Sequence, residues 1–437
     1  MSRQAKQIRS PSGARQQDYL RPALAMNETV LIDHLGQKGD GVVRADSGPV
    51  FVPFALPGES VRILRDGERG QLVEILTPSE SRIAPICPLF TRCGGCVAQH
   101  MAPGLYREWK RRQLITALER ARLQAPVADL VDAHGEGRRR VTFHARRGEG
   151  GMEIGFMAAR SHDLVAVEFC PVLAPGLARA PQVALALANR LVGSGKPLDI
   201  QVTASEAGLD VDIRGHGPAS DPLRLALTTL AGRLDLARLS LHGDVVVERR
   251  PPGQPMGKAL VVPPAGGFLQ ATKAGEDAIA ALVLAALGKS KSVVDLFSGC
   301  GPFTLRIAER ARVHAAESDA GAMAALSRAA ATTPGLKPVT HEIRDLFRRP
   351  LLEHELNAYD ALVLDPPRAG AEAQARRLAA SKVPLIVYVS CDAASFARDA
   401  ALLVAGGYVL DGVTPVDQFR YSAHIELVGI FRRPKTR

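Results

Sequence analysis

Residues 293–303, with the sequence VVDLFSGCGPF, decide how the C-terminal part of the chain folds. The stretch predicts a strand, a tight glycine-containing turn and the start of a helix. Gly299 and Gly301 allow the backbone to approach a ligand closely. Glu317 follows sixteen residues after Gly301, at the end of the next predicted strand, where a carboxylate can bind ribose hydroxyls. Gly-x-Gly alone is a weak signal, but this combination favours a nucleoside-containing cofactor.

Strand-like and helix-like segments alternate from Pro263 to the end of the chain, which is typical of a doubly wound parallel sheet. The predicted strands are Ser292–Leu296, Val313–Glu317, Ala361–Leu364, Leu385–Ser390 and Leu427–Phe431. The predicted helices are Ala278–Leu287, Phe303–Ala311, Ala320–Ala331, Ala371–Ala380 and Ser395–Ala405. In such sheets the chemistry collects at the carboxyl ends of the strands.

A single thiol stands at one of these strand ends. Residues 386–392, IVYVSCD, predict a buried strand that presents Cys391, and residues 365–368, DPPR, follow another strand with a stiff backbone that could clamp a base. A cysteine nucleophile suits methylation of a weakly nucleophilic carbon such as carbon 5 of uracil. Thiolate addition to carbon 6 activates carbon 5, and a base must later remove the carbon 5 proton. His424 and Glu426 are the candidate bases, and on a strand they would share one face.

The composition describes a basic globular protein. The chain has 437 residues, a net charge of +10 and six cysteines, with a pI of about 9.5. The length predicts about three domains, and the charge favours a polyanionic partner such as nucleic acid. No apolar run is long enough to span a membrane, and residues 1–26 lack the apolar core of a secretory signal. We therefore expect a cytoplasmic protein whose cysteines serve as metal ligands or catalysts rather than disulfides.

The N-terminal residues change character twice. Residues 1–26 predict a disordered basic tail that either contacts RNA or is merely solvated. Residues 27–84 predict a small β-barrel, because short strand-like runs alternate with turn signals. Those runs are Val30–Ile32, Gly41–Arg44, Val50–Val52 and Val61–Leu64. The pattern resembles the TRAM domain, and any other oligonucleotide-type barrel is the alternative. Either barrel would bind nucleic acid.

The predicted central domain, residues 85–262, is of the α+β type and opens with clustered cysteines. Cys87, Cys93 and Cys96 are spaced by six and three residues, and Cys170 is the candidate fourth ligand. Four thiolates suit either zinc or an iron–sulfur cluster, and the spacing does not separate the two. Residues 103–123 predict an amphipathic helix with a basic outer face, and residues 138–147 predict a basic, phosphate-contacting strand.

Together these motifs resemble the RNA 5-methyluridine methyltransferase family, in particular its iron–sulfur branch acting on 23S rRNA. The resemblance implies that residues 263–437 are a Rossmann-like class I S-adenosylmethionine (SAM) methyltransferase domain. It implies a 4Fe–4S cluster held by Cys87, Cys93, Cys96 and Cys170. It implies a SAM pocket lined by Gln270, Phe297, Pro302, Glu317, Asp345 and Asp365. It also implies that Cys391 is the nucleophile and Glu426 the base.

The sequence departs from the family pattern at three positions. Asp392 stands where the family commonly has Asn, Pro302 where it often has Asn, and Arg420 where it usually has Pro. An acid next to Cys391 raises the thiol pKa unless its side chain points away. We expect a monomer that methylates carbon 5 of a uridine in 23S rRNA. The alternatives are a tRNA uridine methyltransferase and a non-catalytic RNA-binding or assembly factor.

Overall fold

The computed structural model describes residues 26–191 and 197–434. The predicted basic tail lies outside these residues, except for Met26, which begins the first strand. The chain forms two compact units. One comprises the chain up to Gly36 together with Asp40–Ser79, and the other comprises Gln37–Gly39 and Glu80 to the C-terminus. Among the described residues, no helix is both long and apolar enough to cross a membrane.

The first unit is a six-stranded sheet in the order β1-β5-β6-β4-β3-β2. Its strands are β1 (Met26–Leu31), β2 (His34–Leu35), β3 (Gly41–Ala45), β4 (Gly48–Val52), β5 (Ser60–Asp66) and β6 (Arg69–Thr77). The four predicted strand segments all form strands or end beside one. The sequence analysis missed β6, because most of its side chains, apolar ones included, are exposed. The core of this first unit includes Val50, Val52, Val61 and Ile63, all at most 1% exposed.

The second unit begins with helix α1 (Pro103–Arg120) and strand β7 (Val131–Asp132) and then builds a seven-stranded sheet. The order is β10-β9-β8-β11-β12-β13-β14, antiparallel except between β12 and β13. The strands are β8 (Arg140–Gly148), β9 (Gly151–Met157), β10 (Leu164–Ala166), β11 (Leu198–Ser205), β12 (Gly208–Arg214), β13 (Arg238–Leu241) and β14 (Asp244–Glu248). Helices α2 (Ala180–Arg190) and α3 (Asp221–Arg233) cover it, and β15 (Gln254–Met256) and β16 (Ala259–Val261) form a separate hairpin.

The rest of this unit is an eight-stranded sheet in the order β19-β18-β17-β20-β21-β23-β22-β7. Its strands are β17 (Ser292–Leu296), β18 (Arg312–Glu317), β19 (Val339–Ile343), β20 (Ala361–Leu364), β21 (Leu385–Ser390), β22 (Val409–Asp417) and β23 (Glu426–Arg432). The helices are α4 (Lys273–Leu287), α5 (Thr304–Ile307), α6 (Ala320–Thr332), α7 (Glu353–Leu356), α8 (Glu372–Ala380) and α9 (Ala393–Ala405). The five strands β19, β18, β17, β20 and β21 are parallel. Four of them were predicted, and β19 was not. The last predicted strand, β23, runs antiparallel to β21 instead of parallel.

Residues 103–132 complete the eight-stranded sheet although they lie far from it in sequence. Leu114 and Leu118 of α1 share one buried core with Leu362 and Tyr388, and β7 pairs in parallel with β22. The sequence analysis assigned this helix to the central domain, because only its own periodicity was visible there. Packing joins it to the C-terminal sheet instead.

The predicted basic outer face of α1 is wrong at Lys110, whose side chain is fully buried. Its ammonium lies 3.0 Å from Asp417 Oδ1 and also donates to the carbonyl of His424. Tyr106 donates its hydroxyl proton to Asp417 Oδ2 over 2.5 Å. Burial opposes ionisation of Asp417, but the hydrogen bond from His134 and the charge of Lys110 lower its pKa to about 2. This network ties α1 to the segment between β22 and β23.

We predict that Lys110→Met destabilises the protein by about 3–5 kcal/mol, because it leaves a buried carboxylate without its cation. The fluorescence of Trp109, the only tryptophan, can monitor unfolding in urea and gives the unfolding midpoint reported by this helix. Arg376→Met is the control, since it breaks an exposed pair with Glu372 and should cost no more than about 0.5 kcal/mol. Equal midpoints for the two variants would contradict the prediction.

Candidate active site

Five predicted site residues lie at one edge of the eight-stranded sheet. Phe297, Asp365 and Cys391 directly follow β17, β20 and β21, Glu317 ends β18, and Asp345 comes two residues after β19. Because these strands are parallel, their carboxyl ends meet at the same edge. The structure therefore gathers residues from five separate stretches of sequence into one region.

The turn after β17 is held in a strained, well-fixed conformation. Phe297 has a φ of 61°, which a residue with a Cβ adopts at a cost. The Gly299 N–H donates to Glu317 Oε2 over 3.0 Å, so the carboxylate connects the ends of two strands. Pro302, half-buried in the same turn, accepts a hydrogen bond from Arg306 through its carbonyl over 2.6 Å. The turn thus offers backbone groups and one carboxylate at the sheet edge.

Two buried polar atoms, one at the end of β17 and one in the turn after it, have no partner. Asp295 Oδ1 and Ser298 Oγ are both buried, and neither makes a hydrogen bond within the described chain. The other oxygen of Asp295 accepts from Thr304 Oγ1 over 2.5 Å, and burial raises the pKa of this carboxyl to about 7. Buried polar atoms are normally paired, so this spot suits a polar ligand. Both residues belong to the motif at 293–303, but the sequence pattern alone predicted no role for them.

Asp345 shapes the neighbouring loop after β19. Its Oδ1 accepts from the backbone N–H groups of Phe347 and Arg348, over 3.0 and 3.2 Å. This turn places the ring of Phe347 5.5 Å from that of Phe297, centroid to centroid. The ring of Phe347 remains 48% exposed. An apolar aromatic surface therefore adjoins the polar turn.

Cys391 and Glu426 are brought together by strand pairing. The last pair between β21 and β23 is Ser390 with Leu427, so Cys391 and Glu426 are the next residues outward on the two chain segments. Burial, followed by the charges of Glu426 and Asp365, raises the pKa of the thiol to about 12. Burial and then Asp365 raise the pKa of Glu426 to about 8. A thiol and two carboxyl groups thus share this pocket at the sheet edge, where Glu426 is buried and Cys391 and Asp365 are half-buried.

His424 does not share a strand face with Glu426 as predicted. β23 begins at Glu426, and His424 lies in the preceding loop, its ring 5.7 Å from that of Phe419. The loop carbonyl of His424 is bound by Lys110, which explains why the strand does not extend further. Side chains alternate between the two faces only within a strand, so the rule does not extend to residues such as His424 that precede the first residue of β23.

Asp392 faces away from the thiol. Its Oδ1 caps α9 by accepting from the N–H groups of Ala394 and Ser395, over 3.0 and 2.9 Å, and its Oδ2 lies 3.4 Å from Arg368. The charge of Asp392 consequently contributes less to the raised pKa of Cys391 than those of Glu426 and Asp365. Helix capping also explains how an acid is tolerated beside the thiol.

A chain of side-chain amides joins the two carboxyl groups of the pocket. Gln270 donates to Asp365 over 3.3 Å, and Gln418 donates to Gln270 over 2.5 Å and to Glu426 over 3.1 Å. Gln270 was among the predicted site residues, whereas Gln418 was missed. Its only signal was its position within the stretch 417–426, and its partners come from distant parts of the sequence.

The four predicted metal ligands, here called the cysteine set, are Cys87, Cys93, Cys96 and Cys170. All are free thiols and half-buried. Burial is the main reason why the pKa of Cys96 is raised and why that of Cys170 is raised to about 11. The charges of other cysteines in the set raise both pKa values further. Within the part of the chain that the structure describes, no three His, Cys, Asp or Glu side chains form a site for a metal ion.

Comparison with known proteins identifies the family. The model of the tRNA (Uracil-5-)-methyltransferase family matches residues 265–434. An uncharacterized RNA methyltransferase of Agrobacterium fabrum is 46% identical over 413 residues, which cover 93% of this chain and 99% of that protein. The 23S rRNA (uracil(1939)-C(5))-methyltransferase RlmD of Chromohalobacter salexigens is 34% identical and is matched over 89% of its length, again with 93% of this chain covered.

One solved structure shares the fold along nearly the whole chain. It is the tRNA (uracil-54, C5)-methyltransferase of Pyrococcus abyssi in complex with S-adenosyl-L-homocysteine. It is 21% identical, with a TM-score of 0.71, and the match covers 93% of this chain and 100% of that one. The sequence relatives and the family model lead to the same assignment: this chain belongs to the tRNA (uracil-5-)-methyltransferase family of RNA methyltransferases.

Proposed function

We propose that the protein methylates carbon 5 of a uridine in RNA, with Cys391 as the nucleophile and Glu426 as the proton-abstracting base. The observation that carries this proposal is the pairing of β21 with β23, which makes these two residues neighbours at the sheet edge. A thiol and a buried carboxyl group in one pocket are the two side chains that the reaction requires. Asp365 borders the same pocket.

The methyl donor that fits the sheet edge is SAM, which would supply an electrophilic methyl group. Gln270, Phe297, Pro302, Glu317, Asp345 and Asp365 would hold it. The fit rests on the end of β17 and the turn after it, where Asp295 Oδ1 and Ser298 Oγ are buried without partners. It also rests on the carboxylate of Glu317, which ends the second strand of the motif, where ribose hydroxyls are bound in sheets of this type.

Of the residues of this chain, Cys391 and Glu426 take part in the bonding changes on the RNA, and the methyl group would come from SAM. Cys391, protonated in the free enzyme, loses its thiol proton to solvent and adds to carbon 6 of the uracil as the thiolate. This addition forms an S–C bond and leaves carbon 5 as an enolate carbon. After carbon 5 has been methylated, the carboxylate of Glu426 takes the carbon 5 proton. The electron pair of that C–H bond restores the double bond, and the S–C bond breaks to return the thiolate. Glu426 ends the cycle protonated and loses its proton before the next turnover.

The proposed substrate is 23S rRNA. This proposal follows the RlmD relative from Chromohalobacter salexigens, which is named for that substrate and matches 93% of this chain. A paired uridine hides carbons 5 and 6 within the base stack, so the target must be flipped out or lie in a loop. Arg140 lies 5.4 Å from the ring of Phe268, which is 69% exposed, and such pairs suit unstacked bases. The first unit, which contains strands β1 to β6, would add RNA affinity as a TRAM domain does. We propose that the enzyme acts in the cytoplasm as a monomer.

The cysteine set would hold a 4Fe–4S cluster. Each thiolate of such a cluster binds a different iron, so the four sulfurs need to surround the cluster rather than converge on one ion. The mutual effects of the thiols on their pKa values support this arrangement. The glycine pair between Cys93 and Cys96 leaves room for the backbone to fold closely around the group. The cluster would be structural.

We predict that RNA containing 5-fluorouridine forms a SAM-dependent covalent complex with the enzyme, because fluorine cannot leave carbon 5 as a proton. Denaturing electrophoresis of the enzyme with fluorinated 23S rRNA or tRNA transcripts measures the complex and separates the two substrate classes. Cys391→Ala should abolish the complex while still binding SAM. Glu426→Gln should trap a methylated complex with ordinary RNA. A wild-type enzyme that binds RNA but forms no adduct would support the non-catalytic alternative.

We predict that Cys96→Ser removes a bound iron–sulfur cluster, whereas Cys300→Ser keeps it. Cys300 is a matched control, because it is 4% exposed in an apolar core of the same unit. Iron and sulfide analysis of anaerobically purified protein should give about four of each per wild-type chain. Stoichiometric zinc with no sulfide in the wild-type protein would contradict the cluster.

We predict that Cys391 is alkylated slowly at pH 7, because its pKa is raised to about 12, far above the ordinary value of about 8.5. Glu426→Gln should accelerate alkylation at pH 9, where the Glu426 carboxyl, with a pKa of about 8, is otherwise ionised and opposes the thiolate. Mass spectrometry of the peptide containing Cys391 follows the reaction. Asp392→Asn is the control and should have a smaller effect. Equal acceleration by both variants would show that Asp392 faces the thiol.

A further inference from the structure

We propose that Gln418 is a positioning residue for the base: it orients the carboxylate of Glu426 for removal of the carbon 5 proton. The direction of its own amide is set by the N-terminus of α4. The proposal rests on the proposed function, because it assigns a role within that reaction. It adds a residue that neither the motifs nor the comparisons single out.

The hydrogen bonds around Gln418 admit a single orientation of its amide. The backbone N–H of Thr272 lies 3.3 Å from Gln418 Oε1, and a backbone N–H can only donate. The oxygen must therefore face Thr272, and the two protons on Nε2 point to Gln270 Oε1 and Glu426 Oε1, over 2.5 and 3.1 Å. Each atom of the amide has a partner that only this orientation satisfies.

The same logic fixes the second amide in the chain. Since Gln270 Oε1 accepts from Gln418, its Nε2 must be the group that faces Asp365 Oδ2, at 3.3 Å. The backbone of Gln270 is held in turn by Arg139, which donates to its carbonyl over 3.0 Å. Both carboxyl groups consequently receive N–H donors, which favour their ionised, proton-accepting form. The bond from Gln418 lowers the pKa of Glu426 against burial and the charge of Asp365, both of which raise it.

The support for Gln418 is rigid and dry. Gln418 and Thr272 are each 1% exposed, and Gln270 and Glu426 are each 3% exposed, so water cannot readily replace a lost donor. Thr272 caps α4 by accepting from the Gly275 N–H over 2.8 Å. In a buried network of this kind each donor matters more than it would at the surface.

The network leaves one oxygen of the base unengaged. Glu426 Oε1 accepts from Gln418, whereas Oε2 makes no hydrogen bond among the described residues. Oε2 is also not among the fully buried atoms that lack a partner, so it borders open space. A carboxylate held through one oxygen, with the other free, is arranged to accept a proton from a bound substrate.

The test is Gln418→Leu in the full-length enzyme, assayed with SAM and ordinary uridine-containing RNA. We expect turnover to fall about 10- to 100-fold, as a misplaced reacting group does, with accumulation of a covalent complex whose RNA is already methylated. Adduct formation with 5-fluorouridine RNA should remain at the wild-type rate, because it precedes proton removal. The acidic limb of the pH profile should move to higher pH, since loss of the donor raises the pKa of the base.

Gln374→Leu is the matched control. Gln374 is also 1% exposed and binds the backbone N–H and carbonyl of Leu351, over 2.8 and 3.2 Å, so the same substitution should cost comparable stability without accumulation of the complex. If Gln418→Leu does not fold, Gln418→Glu keeps the shape. Its ionised form cannot donate to Glu426 and should trap the same complex above pH 8.

The outcomes separate this inference from the proposed function. A wild-type adduct with 5-fluorouridine RNA, together with slowed Gln418 variants that accumulate no methylated complex, would overturn the positioning role alone. Absence of the wild-type adduct would overturn the proposed function and this inference with it. Accumulation in the Gln374 variant as well would assign the effect to general destabilisation and also overturn the role.

Discussion

The antiparallel insertion of β23 between β21 and β22 is the constraint on which the site depends. In a fully parallel sheet, the first residue of a strand lies at the edge opposite the catalytic one. Because β23 runs in reverse, Glu426 begins its strand where β21 ends, beside Cys391. The segment between β22 and β23 must then turn at the active edge, and the buried pair of Lys110 and Asp417 holds that turn. Base, nucleophile and turn therefore share one topological cause.

The electrostatics of the pocket oppose the resting thiolate. Burial and two carboxyl groups keep Cys391 protonated in the free enzyme, so the pocket favours a neutral thiol over a charged one. The charges that most oppose ionisation of the thiol are those of Glu426 and Asp365 across the sheet edge. The carboxylate of the adjacent Asp392 instead caps α9 and pairs with Arg368. Adjacency in sequence is thus a poorer guide to charge coupling here than adjacency across strands.

Local patterns predicted the parallel strands and the residues at their ends, because a buried strand followed by a turn leaves a short-range signature. The same patterns failed where tertiary contacts decide. The local pattern predicts a surface position for Lys110, but the residue is buried because it pairs with Asp417. The role of Gln418 depends on hydrogen bonds with Gln270 and Thr272, which are distant in sequence. The strand assigned to His424 failed for a similar reason. Pairing over hundreds of residues leaves no periodic trace.

The bond between Lys110 and Asp417 spans 307 positions of the chain, and this separation has a consequence for synthesis. When α1 leaves the ribosome, the carboxylate that neutralises its lysine has not yet been made, and neither has most of the sheet against which Leu114 and Leu118 pack. The apolar face of the helix stays uncovered until the chain has been synthesised as far as the strands against which it packs. A product truncated before Asp417 therefore lacks both Glu426 and the carboxylate that pairs with the buried Lys110.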